Sequence, residues 1–139
     1  MKNRKNLLIK RRNSFRSSRN ILFSFKYAIN GINYCFKNER NFRIELSIAC
    51  LSLLLSFLLN LSNIENLILF ATIFSVLILE LLNTAIESLV DLLVDKEFST
   101  LASITKDCAA GAVLLASINS IFVALYLFLP KIKLLFINL

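Results

Sequence analysis

The sequence predicts an all-α integral membrane protein with three transmembrane helices and one amphipathic interfacial helix before them. Of its 139 residues, 57% are hydrophobic, and only two are glycine and one is proline. This composition is far more apolar than that of a soluble domain. Because one small chain has little interior in which to bury charged side chains, we expect copies of it to associate with one another.

The net charge of +7 is concentrated at the amino-terminal end, where twelve of the sixteen lysines and arginines precede Leu46. A basic segment beside apolar spans indicates attraction to anionic lipid headgroups, and nucleic acid is not expected as a partner. Residues 1–19 are predicted to be a disordered basic segment. The charge bias predicts a multi-pass protein of the cell inner (plasma) membrane with a cytoplasmic amino terminus.

The first two helices are predicted from apolar periodicity. Residues 20–37 place apolar side chains on one stripe and polar side chains opposite, which predicts an amphipathic interfacial helix. The first span is predicted over residues 46–61. That length is short for a bilayer, so its first turn is expected near Phe42. The pattern Ser62-x-x-Glu65 has the form of a capping box, which predicts the start of the next helix.

The second span is predicted over residues 67–94, long enough to project beyond the hydrocarbon at one end. A polar link is expected at residues 95–107, and a third span over residues 108–129. Pro130 is predicted to end that span, because proline interrupts helix hydrogen bonding. Residues 131–139 are then expected to form a carboxyl-terminal tail.

Polar side chains follow one face of the second span. Glu80, Asn83, Glu87 and Asp91 fall within about 80° of arc on a helix. A carboxylate at membrane depth is destabilising unless it meets a metal, a partner or a polar cavity. These residues would otherwise serve as interhelical hydrogen bonds, but structural polar side chains in membranes are usually Ser, Thr or Asn. The stripe therefore predicts a functional site.

Acidic side chains on separate segments are expected to meet at one depth on the cytoplasmic side. Glu39 and Glu87 would form a pair of carboxylates, which suits Mg²⁺ bound together with substrate phosphates. Lys106 and Arg43 are candidates to neutralise phosphate oxygens. Glu80 lies deeper and suits proton transfer, since the sequence has no histidine. The residues thus predict a metal and anion site beside a buried base, and they leave the reaction open.

Two motifs resemble the signature of the prokaryotic diacylglycerol kinase family. They are Glu80-Leu-Leu-Asn-Thr-Ala-Ile-Glu87-Ser-Leu-Val-Asp91 and Lys106-Asp107-Cys-Ala-Ala-Gly-Ala-Val-Leu. Residues 25–31 resemble the surface helix of that family, and residues 38–45 resemble the entrance of its first span. The resemblance covers residues 20–130, which would form a lipid kinase membrane domain.

The resemblance implies a homotrimer that transfers the γ-phosphate of MgATP to a lipid hydroxyl at the membrane interface. Glu80 would be the general base with Asn83 beside it, and Glu39 and Glu87 would hold Mg²⁺ next to the ATP phosphates. The other implied contacts are Tyr27, Glu97, Lys106 and Asp107 with the nucleotide, and Asn41, Arg43 and Glu80 with the lipid.

Two points bear on how far the resemblance extends. The family often has Glu-Tyr-His in the link, whereas Glu97-Phe98-Ser99 lacks the histidine, which bears on nucleotide preference. Diacylglycerol and undecaprenol both stay open as substrates, and the Asn-Thr-Ala-Ile-Glu variant looks closer to branches with undecaprenol kinases.

The alternative from another class of function is a non-enzymatic membrane assembly protein or cation carrier. Transporters of that kind usually have broken helices or repeats, and the sequence has neither.

Overall fold

A computed structural model describes residues 21–94 and 99–137, and every regular element in these ranges is an α-helix. The helices are α1 (Ile21–Asn38), α2 (Arg40–Leu58), α3 (Asn63–Val94) and α4 (Thr100–Ile137). By length and composition α2, α3 and α4 are each able to cross a membrane. The predicted all-α membrane fold with three spans is therefore confirmed.

The described residues divide into two compact units, with the boundary between Lys37 and Asn38. In the first unit, α1 confirms the helix predicted over residues 20–37. The apolar side chains of its predicted stripe, among them Ile21, Phe25 and Ile29, are exposed. An exposed apolar stripe on an amphipathic helix is suited to contact with the lipid surface.

In the second unit, a short turn joins α2 to α3 and is fixed by side-chain hydrogen bonds. Asn60 has φ 50°, a left-handed conformation that asparagine tolerates. The Glu65 N–H donates to Ser62 Oγ at 3.3 Å, and the Ser62 N–H donates to Glu65 Oε2 at 2.7 Å. The predicted capping box is thus confirmed. The Asn66 side-chain amide also donates to the Leu61 carbonyl at 3.0 Å.

The start of α4 lies earlier than the sequence predicts. Ser99 precedes the helix, and its Oγ accepts the Ala102 N–H at 3.4 Å, so it acts as the N-cap. This cap allows the helix to begin at Thr100 instead of after a polar link. The prediction that residues 100–107 lie in a link is wrong: Lys106 and Asp107 lie on α4.

The predicted helix end at Pro130 is also wrong, because α4 continues through Pro130 to Ile137. Proline removes one N–H donor and its ring crowds the preceding turn, but membrane helices tolerate both because neighbouring groups and small local adjustments compensate. Lys131 follows directly, and its Nζ pairs with Glu65 Oε2 at 3.3 Å, which holds the last turns of α4 beside the start of α3.

Helices α3 and α4 run antiparallel and pack along each other, and α2 contacts α3. The buried apolar core near the α2–α3 turn consists of Leu61, Leu69, Leu127 and Phe128. At the other end of the pair, Lys106 Nζ lies 2.5 Å from Asp91 Oδ1. One ion pair at each end therefore fixes the register of α3 against α4, which in turn fixes where the acidic stripe of α3 faces.

Candidate functional site

Helices α2, α3 and α4 line a cavity of about 370 Å³ that contains the deepest residue of the acidic stripe. Glu80 is only 2% exposed, although its side chain is a carboxylic acid, and it lies midway along an apolar helix. Asn83 lines the same cavity from the next turn of α3, and Asn41 lines it from the first turn of α2. Three of the side chains predicted from the sequence to form the site are therefore brought together.

The stripe on α3 becomes more exposed from the middle of the helix toward its end. Glu80 is buried, Glu87 is half-buried and Asp91 is exposed. The Asn83 side-chain amide donates to Glu87 Oε1 at 3.0 Å, which links the cavity to the more exposed part of the stripe. Exposure of the stripe's acids therefore increases along α3 toward its carboxyl-terminal end.

The carboxylates of Glu39 and Glu87 both lie close enough to Glu80 for their charges to repel it. Glu39 occupies the N-cap position of α2 in extended backbone, and its side chain makes no capping hydrogen bond there. Its carboxylate is therefore not used to start the helix. The two predicted Mg²⁺ ligands come from different elements: Glu39 precedes α2, and Glu87 lies on α3 about two turns beyond Glu80, roughly 10 Å along the helix axis.

The metal-binding capacity of this group rests on few protein ligands. Within residues 21–94 and 99–137, no group of three or more His, Cys, Asp or Glu side chains is arranged to hold a metal ion. Glu39 and Glu87 offer an all-oxygen, anionic donor set, which fits Mg²⁺. That ion commonly binds through one or two carboxylates, substrate phosphates and water.

Glu45 is a cavity residue to which the sequence interpretation assigned no role. It lines the cavity from α2, and its charge interacts with that of Glu80. Glu45 Oε2 is buried without a hydrogen-bond partner in the described part of the chain, and the same holds for Asn83 Oδ1. Buried acceptors are destabilising unless they are bonded, so these two atoms mark a place for a polar ligand group.

Basic side chains lie near the carboxyl-terminal end of α3, at the start of α4 and in the first turn of α2. Lys106 on α4 pairs with Asp91 on α3, and the Ser103 hydroxyl donates to Asp107 Oδ2 at 3.5 Å. Arg43 lies half-buried on α2. This end thus combines a lysine with carboxylates, a mixture suited to a metal-bound phosphate chain.

Two predicted nucleotide contacts do not belong to the described part of the second unit. Tyr27 lies exposed on α1, which belongs mainly to the first unit. Glu97 lies outside the described residues. The roles of both stay predictions.

A second cavity of about 250 Å³ continues from the first along the same three helices. The two cavities share Glu45, Ile48 and Ser117. Most of the second lining is apolar, and the hydroxyl groups of Thr72 and Ser120 there donate to carbonyls of their own helices. For example, Thr72 Oγ1 donates to the Ile68 carbonyl at 2.8 Å. The combined space is polar near Glu80 and apolar beyond it.

Comparison with known proteins gives one consistent family. The family described as prokaryotic diacylglycerol kinase matches residues 26–128 of the chain. Diacylglycerol kinase of Synechocystis sp. is 46% identical over 122 residues, covering 88% of this chain and 70% of that protein. Undecaprenol kinase of Bacillus subtilis is 46% identical over 109 residues, covering 78% and 88%. Diacylglycerol kinase of Escherichia coli K12 is 32% identical over 95 residues, covering 68% and 77%.

Proposed function

The chain belongs to the prokaryotic diacylglycerol kinase family, and we propose that it transfers the γ-phosphate of MgATP to the hydroxyl of a membrane lipid. Membership and the three apolar helices make it a multi-pass membrane lipid kinase. The observation that carries the finer proposal is the buried Glu80 carboxylate, which lines a cavity and interacts with the charges of Glu39 and Glu87.

Glu80 is the base in this proposal. The lipid hydroxyl oxygen attacks the γ-phosphorus, its proton passes to Glu80, and the bond to the leaving oxygen of ADP breaks with its electron pair. Asn83 holds Glu87 through the bond to Oε1. Glu39 and Glu87 would hold Mg²⁺, which supplies charge neutralisation to the phosphates. Phosphoryl transfer depends mainly on such positioning and neutralisation.

The remaining polar residues bind the two substrates in this proposal. Lys106 and Asp107 contact the nucleotide, together with Tyr27 and Glu97. Asn41 and Arg43 contact the lipid headgroup region. We place the amino terminus in the cytoplasm of a cell with this protein in its inner (plasma) membrane. The end of α3 and the start of α4 then face the compartment that contains ATP.

The lipid chain fits the second cavity in this proposal. The mostly apolar lining begins beside Glu45 and leads away from Glu80, so a hydroxyl at Glu80 leaves room for an attached hydrocarbon chain. Diacylglycerol and undecaprenol both have this form. Relatives named for each lipid are 46% identical to the chain, so we propose both as candidate substrates.

Purified protein in bilayers is expected to label a lipid when it is given γ-³²P-labelled ATP and Mg²⁺. Diacylglycerol and undecaprenol are supplied in separate reactions, and the products are separated by thin-layer chromatography. Labelled phosphatidate or undecaprenyl phosphate identifies the substrate, and a chelator is expected to abolish the labelling. If folded protein labels neither lipid at millimolar MgATP, the proposal is wrong.

We propose that the active unit is a homotrimer, because one chain leaves much of its polar and apolar surface incomplete. Glu45 Oε2 and Asn83 Oδ1 have no hydrogen-bond partner among the described residues, and many large apolar side chains of all three long helices are exposed. Cross-linking and native mass spectrometry in mild detergent are expected to give trimers, and activity should follow the trimer fraction across a dilution series. A monomer that retains full activity would contradict this.

A further inference from the structure

Asp91 is the one acid of the α3 stripe that the proposed reaction does not use. Its Oδ1 lies 2.5 Å from Lys106 Nζ, and the pair joins the end of α3 to the start of α4. Asp91 lies one helical turn beyond Glu87 on the same face. The pair therefore fixes the Lys106 ammonium beside the part of the site that would hold the phosphates.

The pair is compatible with phosphate binding. A lysine ammonium carries three N–H donors, so one bond to Asp91 leaves two donors for phosphate oxygens. The lysine side chain is long and flexible, and ordering it when the nucleotide binds would oppose binding through lost rotamer freedom. A carboxylate that orders Lys106 beforehand removes part of that cost.

We propose that Asp91 is a positioning residue for ATP: it acts through Lys106 and does not touch the nucleotide. This inference rests on the proposed function, in which Lys106 binds the phosphates. The side chains of Lys106 and Asp91 are 36% and 64% exposed, so solvent screens the pair. The effect on nucleotide binding is therefore a moderate one.

Asp91→Asn is expected to raise the KM for ATP about two- to five-fold, the range that an exposed ion pair supplies. The turnover number and the KM for the lipid should stay unchanged. Asp91→Glu, which keeps the charge, should restore most of the ATP affinity. The full-length protein in bilayers is used throughout, with ATP binding followed by calorimetry as well as by kinetics.

Lys131→Gln is the matched control. It removes the other α3–α4 ion pair, the 3.3 Å contact with Glu65 at the opposite end of the helices. It is expected to leave the KM for ATP unchanged. If it raises that KM as much as Asp91→Asn does, the Asp91 pair only holds the helices together and the inference is overturned.

A double-mutant cycle tests whether Asp91 acts through Lys106. In a Lys106→Gln background, Asp91→Asn should cause no further loss of ATP binding by calorimetry. A loss that persists there, or tighter ATP binding in Asp91→Asn alone, overturns the inference. An inactive wild-type protein would refute the proposed function. An active wild type with an unchanged Asp91→Asn variant refutes only the role of Asp91.

Discussion

Replacing Glu80 with glutamine is expected to reduce turnover about 10²–10⁴-fold, the usual cost of removing a general base. Glutamine keeps the shape and polarity of the side chain but cannot accept the lipid proton. ATP affinity should remain near the wild-type value. Glu87 lies about two turns away, roughly 10 Å along the helix axis, so the nucleotide end of the site stays intact.

Glu45→Gln is the informative comparison for this variant, because Glu45 lines the same cavity and its charge interacts with that of Glu80. Turnover and the KM for ATP are measured for both variants in bilayers with the identified lipid. If Glu80 is the base, Glu80→Gln loses far more turnover than Glu45→Gln. Near-normal turnover in Glu80→Gln would show that Glu80 has a structural role. If Glu45→Gln instead loses turnover about 10²–10⁴-fold, Glu45 on α2 is the base.

The sequence predicted those features that depend on a short stretch of chain. The three spans follow from apolar length, and the capping box of Ser62 and Glu65 follows from a four-residue pattern. Helix periodicity places Glu80, Asn83, Glu87 and Asp91 on one face once the helix over these residues is predicted, and α3 contains all four. All of these are local properties, so no knowledge of the packing was needed.

Features that depend on contacts between helices were missed. Glu45 belongs to the site only because α2 places it across the cavity from α3, and a single-helix pattern does not contain that distance. The helix end at Pro130 was predicted from local hydrogen bonding, yet α4 continues and Lys131 pairs with Glu65. Ser99 was singled out only because the family often has histidine at this position, and the role of its hydroxyl as the cap of α4 was missed.

Removing either proposed Mg²⁺ ligand is the second change for which we expect a large effect on activity. Glu39→Gln and Glu87→Gln are each expected to raise the Mg²⁺ concentration for half-maximal activity about tenfold or more, because charge-assisted contacts are the strong ones. Each variant should also bind ATP more weakly, since ATP binds together with the ion. In Glu87→Gln the amide oxygen is still able to accept the Asn83 N–H, so the structure around α3 is retained. The variant therefore isolates the loss of charge.

The double variant tests whether the two carboxylates act on one ion. Once either ligand is lost the ion is held poorly, so removing the second should cost less than the product of the two single effects. Glu65→Gln is the control, since it removes an acid from α3 far from the site and glutamine still completes the capping box. Its Mg²⁺ titration should match the wild type. If both single variants show the same Mg²⁺ titration as the wild type, Glu39 and Glu87 are not metal ligands. If the loss in the double variant equals the product of the two single losses, the two carboxylates bind separate ions.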